Sequence, residues 1–346
     1  MRKIIGTFVV LIVLITIGFI WVLESPATAF HDKKAYFIIS EDSLSSQHIT
    51  QTLLHQHIIQ HGRLFQFVLK KLHIAKHIKP GKYEVQKNAN LLSIIRMLKN
   101  NRQASINLVI NKLRIKEDLA KLIAKNYSTD SVQVMQFLNS NDSLHPYHVD
   151  TSTVFTIILP DTYTFYWNTP LRKIFNKLFV TDSTFWSKNN RVQKARDIGL
   201  TQKEVYILAS IVEEESNIDE ERGKISSVYL NRLHQNMSLQ ACPTIKYAMK
   251  DFALTRIYEK YLFNPSPYNT YRNKGLPPGP ICTPSPKCID IVLNAPKTNY
   301  LYFVAKSDFS GYSHFSSNFA EHNAYAKQYQ QALDVEMAKK QKTKGE

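Results

Sequence analysis

Three adjacent carboxylates, Glu213, Glu214 and Glu215, close the apolar stretch GLTQKEVYILASIVEEESN that runs from Gly199 to Asn217. A carboxyl group does general acid–base work when its surroundings hold it protonated near neutral pH. Thr201 and Glu204 have the S/T-x-x-E spacing of a capping box, and Leu200 and Val205 stand where a hydrophobic staple would, so a helix is predicted to start there. Advancing about 100° per residue from Val205 puts Leu208, Ala209 and Val212 on the apolar side. Glu215 falls near roughly 280°, between Leu208 and Ile211, whereas Glu213 and Glu214 fall near roughly 80° and 180°, away from that stripe. The wheel therefore aims one carboxyl of three into apolar surroundings, where desolvation raises its pKa. The competing reading is a solvated acidic helix end.

A second stretch with chemical potential is FNPSPYNTYRNKGLPPGPICTPSP, from Phe263 to Pro286, which holds seven of the chain's 14 prolines. It cannot be a continuous helix or a central strand, and a loop of this length inside a compact domain is usually functional. Proline restricts such a loop, so Tyr268, Asn269, Thr270, Tyr271 and Arg272 are expected in fixed positions. Flat aromatic faces beside neutral amide and hydroxyl groups suit a sugar; a purely structural loop is the alternative. A third cluster, His314-Phe315-Ser316-Ser317-Asn318 with His322-Asn323, either lines the same cleft or caps the last helix. His55, His57 and His61 have no carboxylate or cysteine beside them and read as solvated histidines rather than a metal site. No metalloprotease, nucleophile-elbow, P-loop or dinucleotide-binding motif is present. No cofactor or metal is expected.

The elements that must position these residues follow from periodicity. Tyr36–Ile39 reads as a strand, helical spacing follows at Ile49–Ile58 and Leu64–Leu72, Lys79-Pro80-Gly81-Lys82 is a turn, Tyr83–Val85 a strand and Leu91–Leu98 a helix. That order makes a small α+β module. Beyond it a strand is expected at Ser105–Ile110 and helices at 116–126 and 130–139. An apolar strand is expected at Val154–Leu159, then helices at 170–180 and 182–197, a buried strand at Tyr300–Ala305 and a last helix at Glu321–Lys339. The 346 residues, 44% hydrophobic, exclude a disordered chain and leave room for two domains. Three cysteines (Cys242, Cys282, Cys288) exclude a disulfide framework and leave open whether Cys282 and Cys288 pair.

The formal charge is +16. After Arg2 and Lys3, the 20 residues Ile4–Leu23 carry no charge, enough to span a bilayer core of about 30 Å at about 1.5 Å per residue. Two basic residues before the span place the bulk of the chain outside the cytoplasm. A cleaved signal peptide, with Ala27-Thr28-Ala29 as its cleavage site, is the rival, but its apolar region would be shorter. Without Arg2 and Lys3 the remaining charge is +14, directed to the cell envelope rather than to nucleic acid.

LASIVEEES, SSVYLNRLHQNMSLQACPTIKYAM, SPYNTYRNKGLPPGPICTPS, and YLYFVA followed by HFSSNFAEHN resemble, in that order, motifs of the endolytic murein transglycosylase (YceG-like) family. Pro160-Asp161-Thr162-Tyr163 fits as well, and Lys79–Tyr83 resembles a turn of that family's LysM-like subdomain. The chain departs where the family usually has an acidic residue and this sequence has Cys242, and where a Glu-Gly pair usually stands shortly before Pro160.

The resemblance implies an α+β fold with an N-terminal transmembrane helix, a small LysM-like subdomain and a larger mixed α/β catalytic domain with its glutamate on a helix. The expected division is 1–3 cytoplasmic, 4–23 transmembrane, 24–34 tether, 35–104 LysM-like, 105–338 catalytic and 339–346 a charged tail. It implies Glu215 as the catalytic acid, with Gln240, Tyr268, Asn269, Thr270, Tyr271, His314 and Asn323 contacting substrate. The implied partners are peptidoglycan glycan strands, a peptidoglycan synthase and the inner membrane. A membrane-tethered peptidoglycan-binding protein without activity is the alternative from another class.

Overall fold

A computed structural model describes residues 2–254 and 256–343, without the side chains of 2–6, 8, 9, 19, 43 and 337–343. The chain divides into two compact units. The first contains residues 1–108 and takes in 126–129 and 164–170 as well; the second contains 109–125, 130–163 and 171–346. The tail expected at 339–346 and the segment 1–3 lie outside the residues whose side chains are described.

In the first unit, helix α1 (Arg2–Glu24) precedes strand β1 (Lys34–Ile39), helices α2 (Ser46–His55) and α3 (Gly62–Lys71), strand β2 (Gly81–Gln86) and helix α4 (Leu91–Lys99). The strand–helix–helix–strand–helix order is the one expected from periodicity. Ser45 and Asn90 cap α2 and α4, each side chain accepting the amide three residues on. β1 and β2 are antiparallel, with Phe37 opposite Tyr83 and Ala35 opposite Val85. Strict alternation turns Phe37, Ile39, Tyr83 and Val85 inward, where they join Leu53, Phe65, Leu69 and Leu98 in one core. Leu23, at the end of α1, reaches the same core, while Val10 to Val22 carry their described side chains largely exposed. Among the described residues no helix is long and apolar enough to cross a membrane. Ile4, Ile5, Gly6, Phe8, Val9 and Phe19 of the predicted span have side chains outside that description.

Strand β3 (Ser105–Ile110) and helices α5 (Lys116–Asn126), α6 (Ser131–Leu138) and the single turn α7 (Asn141–Leu144) follow. Val154–Ile157 is a 3-10 turn, not the expected strand, and the strand β4 lies beyond it at Asp161–Tyr166. All four residues of the turn are buried, and a short apolar run has no period by which strand and buried turn differ. A single helix α8 (Leu171–Ser187) continues through the break expected near 181, and α9 is confined to Arg191–Asp197. The chain then runs through α10 (Gln202–Glu215), α11 (Asp219–His234), α12 (Cys242–Ala248), α13 (Pro286–Leu293), the ribbon β5 (Tyr302–Ala305) and β6 (Ser313–Ser316), and α14 (Phe319–Thr343).

The α+β class holds, but the second unit is mainly helical rather than mixed α/β, with strands only in two-stranded pairings among the described residues. β5 begins two residues later than expected and is half-buried, because its ribbon is covered on one side by α14. Helix α10 is the centre of this unit: α9, α11, α12, α13 and the Val154–Ile157 turn all pack on it. Every residue from Val205 to Glu213 is buried, so α10 is not the amphipathic surface helix that the wheel assumed.

Candidate active site

The capping box at the start of α10 is formed: Thr201 Oγ1 accepts from Glu204 N, and the Glu204 carboxylate accepts from Thr201 N at 2.8 Å. This fixes the register of a helix whose final turn is Glu213-Glu214-Glu215. The three carboxylates have different environments. Glu213 is buried, not turned away from the core as the wheel had it, and accepts from Arg222 Nη2 at 2.8 Å and Ser285 Oγ at 2.9 Å. Glu214 pairs with Arg114 at 2.9 Å and Lys112 at 3.2 Å. Glu215 forms no ion pair among the described residues. Its Oε1 accepts one hydrogen bond, from Tyr229 Oη at 2.7 Å.

Glu215 is packed tightly by neighbouring atoms yet keeps an opening to solvent. Desolvation raises its pKa to about 7, against the opposing effects of the Tyr229 hydrogen bond and the Lys246 charge. Its place at the C-terminus of α10, the negative end of the helix dipole, favours the neutral form in the same direction. Tyr229, on α11, is buried and stands edge-on to Phe303 of β5, with ring centroids 6.0 Å apart. Burial first, then the Glu215 carboxyl, pushes its phenol well above the ordinary value, so it is a permanent donor.

Arg222 fixes the chain on both sides of the glutamate. Besides Glu213, it donates from Nε to Ser216 O at 2.7 Å and from Nη1 to Asp219 at 3.4 Å. On the same helix Asn231 donates to Thr298 O and Tyr300 O, and Arg232 donates to Leu301 O and Leu239 O, both at 2.7 Å. These bonds tie β5 and the segment before α12 to α11. No motif rule singles out Tyr229, Arg222 or Arg232. Tyr229 and Arg232 lie in the segment Ser226–Met249 that resembles the family, whereas nothing in the sequence marks Arg222.

The proline-rich segment is irregular, as expected, and it docks on the start of α12. Asn269 and Thr270 are fully buried. Asn269 Nδ2 donates to Leu262 O and Asn264 O while its Oδ1 accepts from Tyr271 N. Thr270 Oγ1 accepts from Ala241 N, and its hydroxyl meets that of Thr244 at 2.9 Å. Both side chains are buried and hydrogen-bonded within the loop and to the start of α12, so in this structure they hold the loop. The sequence could not separate the roles because the same amide and hydroxyl groups serve either.

Tyr271 stays partly exposed, with its hydroxyl 3.2 Å from Cys242 Sγ. Both groups lie within electrostatic reach of Glu215. Gln240 is exposed, in a left-handed backbone conformation (φ 51°), and its amide donates to Thr270 O. Tyr268 points elsewhere: it packs on Tyr247 with ring centroids 4.6 Å apart and lines a separate cavity with Lys116 and Phe155. His314 is stacked flat on Tyr325 at 4.1 Å, and Asn323 is exposed on α14. Neither makes a hydrogen bond to Glu215, Tyr229 or Tyr271 among the described residues. His322, also on α14, is stacked on Tyr302 with ring centroids 5.3 Å apart, and the Arg232 guanidinium stands over the same Tyr302 ring, 5.4 Å from its centroid. Desolvation first, then Arg232, lowers its pKa and keeps it neutral.

Cys282 and Cys288 are free and buried; their thiols donate separately to Ser210 O and Ala209 O of α10. They are packing groups under the active helix, and Cys242 is the exposed thiol.

Tyr229→Phe keeps the ring and its packing on Phe303 but removes the donor. The lost bond had lowered the carboxyl's pKa, so the acid form of Glu215 persists to higher pH. If Glu215 is the working acid, the alkaline limb of the pH–rate profile moves up, while the rate at the optimum falls about ten-fold through lost orientation, within the range for general acid–base groups. An unmoved limb would remove Tyr229 from this role.

The chain is similar to proteins of one family along most of its length. The endolytic murein transglycosylase of Bacillus subtilis (strain 168) is 43% identical over 125 residues, covering 35% of this chain and 33% of that protein. The endolytic murein transglycosylase of Streptococcus pneumoniae serotype 2 (strain D39) is 25% identical over 337 residues, covering 88% of this chain and 60% of that protein. The chain thus spans from a third to three fifths of the length of these relatives. The crystal structure of a YceG-like protein from Listeria monocytogenes superposes with a TM-score of 0.55 at 25% identity, covering 84% of this chain and 98% of that one. Residues 38–328, most of the chain, match the YceG-like family, and the chain belongs to that family.

Proposed function

We propose that this chain is a lytic transglycosylase that cuts the β-1,4 bond between N-acetylmuramic acid and N-acetylglucosamine within peptidoglycan strands, with Glu215 as its acid and base. The supporting observation is the asymmetry of the acidic run: Glu213 and Glu214 are neutralised by Arg222, Lys112 and Arg114, while Glu215 has only the Tyr229 hydroxyl and an opening to solvent.

Glycosidases that use water generally need a second carboxylate to activate or replace it. In this reaction one group serves twice. Protonated Glu215 donates to the glycosidic oxygen as the C1–O bond breaks. The carboxylate then takes the proton of the muramoyl C6 hydroxyl, whose oxygen bonds to C1. The products are a free N-acetylglucosamine 4-hydroxyl and a 1,6-anhydro muramoyl end, with no water consumed. A pKa of about 7 suits both halves, because the group must give and take a proton at the same pH. Tyr229 holds one carboxyl oxygen and leaves the other for substrate. Gln240, exposed, and Tyr271, partly exposed with its hydroxyl against Cys242, are the sugar contacts.

The reading includes an inner-membrane anchor. The 20 uncharged residues Ile4–Leu23 and the exposed apolar side chains from Val10 to Val22 support it. It places the bulk of the chain on the outer side, with residues 35–104 as a LysM-like wall-binding module and a peptidoglycan synthase supplying nascent strands. Stem-peptide carboxylates give the basic chain a polyanionic surface to rest on.

Mass spectrometry of products from uncrosslinked glycan strands tests the activity. Ends one water lighter than the hydrolytic product are expected; intact strands or reducing muramoyl ends overturn it. The exposed thiol gives a second check. Maleimide is expected to label Cys242 alone in the folded protein, slowly at pH 7 because desolvation raises its pKa, and to stop release of anhydro ends. Full activity after stoichiometric labelling would place Cys242 away from the glycan path.

A further inference from the structure

At the opposite end of α10 from Glu215 lies a cavity of about 400 Å³, walled by α8, the Val154–Ile157 turn and the α10 N-terminus. Gln202 lines it, 13 residues before Glu215 on the same helix, which at about 1.5 Å per residue is about 20 Å away. Whatever it binds is not the bond being cut.

The cavity contains a carboxylate without a counter-ion. Asp182, on α8, is buried and lines the cavity; its Oδ1 accepts from Trp186 Nε1 at 3.1 Å. Its other oxygen has no hydrogen bond among the described residues. The cation at the rim, Lys203, donates to His148 O instead. Desolvation, only partly opposed by the indole bond, raises the Asp182 pKa to about 7. A lone buried carboxylate is costly, and neither packing on α10 nor the chemistry at Glu215 needs this one. Around it stand the rings of Tyr147, Phe179 and Trp186. Thr156 also lines the cavity; its hydroxyl proton goes to Thr153 O, so its lone pairs are left to accept.

We infer that this cavity is a binding pocket for an aliphatic primary ammonium group, with Asp182 as counter-ion, Thr156 as a second acceptor and the three aromatic rings as its wall. An ammonium fits better than a guanidinium. One oxygen of Asp182 is already taken by the indole, which excludes a bidentate fork but leaves a single strong acceptor for a point charge. The rings that line the cavity give apolar surface to the attached chain and aromatic surface to the same cation. The amine is carried either by a free diamine or by the side chain of a diamino acid within a peptide.

The test follows the indole N–H resonance of Trp186 in the full-length ¹⁵N-labelled protein, assigned with Trp186→Phe, during titration with cadaverine and separately with Nα-acetyl-lysine amide. A saturable shift with either probe is expected, and the tighter of the two identifies the source of the amine. Asp182→Asn keeps an acceptor for the indole and is expected to weaken binding about ten-fold or more. Phe179→Leu is expected to weaken it about three-fold, and it carries the test if Asp182→Asn does not fold. Absence of a shift with both probes, or affinity unchanged in the variants, overturns the assignment.

Discussion

Glu215→Gln is expected to abolish release of 1,6-anhydro muramoyl ends while making the folded protein more stable at neutral pH. The amide keeps the size of the carboxyl and still accepts from Tyr229, but it can neither donate nor take a proton at pH 7. The loss in rate should reach at least about 10²–10⁴-fold, the usual contribution of a general acid–base group. In the proposed reaction a single group performs both proton transfers, so the upper end is expected.

The stability effect has a definite sign. The folded-state pKa of Glu215 is raised from 4.5 to about 7, so between these values the native state binds more protons than the unfolded chain. Stability therefore falls as pH rises through this window, and the full penalty, on the order of 3 kcal/mol, is present above pH 7. Glutamine removes it. Asp182 shifts in the same direction and adds a parallel slope, so the informative quantity is the difference between Glu215→Gln and the wild type. Urea titrations should show that difference near zero at pH 4 and at its maximum by pH 8. A variant that kept turnover would remove Glu215 from the mechanism. One that lost turnover without gaining stability would mean that the carboxyl is solvated and titrates in the ordinary range.

Arg222→Met is the second large effect. It removes the guanidinium but keeps much of the apolar stem, leaving Glu213 buried with Lys112 only at 4.0 Å. Breaking a buried pair in this way costs about 3–5 kcal/mol, because one charge stays desolvated and uncompensated. If Glu215 is the working acid, turnover should fall as well, since Arg222 also holds Ser216 O, directly after Glu215. Arg222→Lys separates the two roles. A lysine can restore the pair with Glu213 and most of the stability, but as a point charge it cannot also hold Ser216 and Asp219. The expected result is near-normal unfolding with reduced kcat. A midpoint for Arg222→Met within about 0.5 kcal/mol of wild type, the size of an ordinary surface substitution, would contradict the buried-pair account.

Both variants act at the end of one helix, and that helix shows how far local sequence reaches. The capping box at Thr201 and Glu204, the run of apolar residues and the acidic terminus are local signals, and all three are present as expected. The glutamate was singled out from a wheel that supposed one wet face. That supposition fails because α10 is surrounded by other helices, so facing position alone does not separate Glu213 from Glu215. The difference lies in which cations arrive from elsewhere: Lys112 and Arg114 come from about a hundred residues earlier, and Arg222 from the next helix.

What the sequence by itself determined is what depends on neighbours along the chain. This includes the order of elements in residues 36–98, the start of α10, the irregular course of the proline-rich loop and the motifs that mark the family. Tertiary structure decided which polar groups stay open to solvent and which are buried. Asn269 and Thr270 are absorbed into the loop's own hydrogen bonds, Tyr268 turns to another cavity, and His314 and His322 stack on different tyrosines, Tyr325 and Tyr302. It also produced Asp182, an unremarkable residue in a lysine-rich helix until folding closed a cavity around it. The physical reason is common to all of these. Desolvation and charge pairing depend on distances across the fold, and residues that are remote in sequence set those distances.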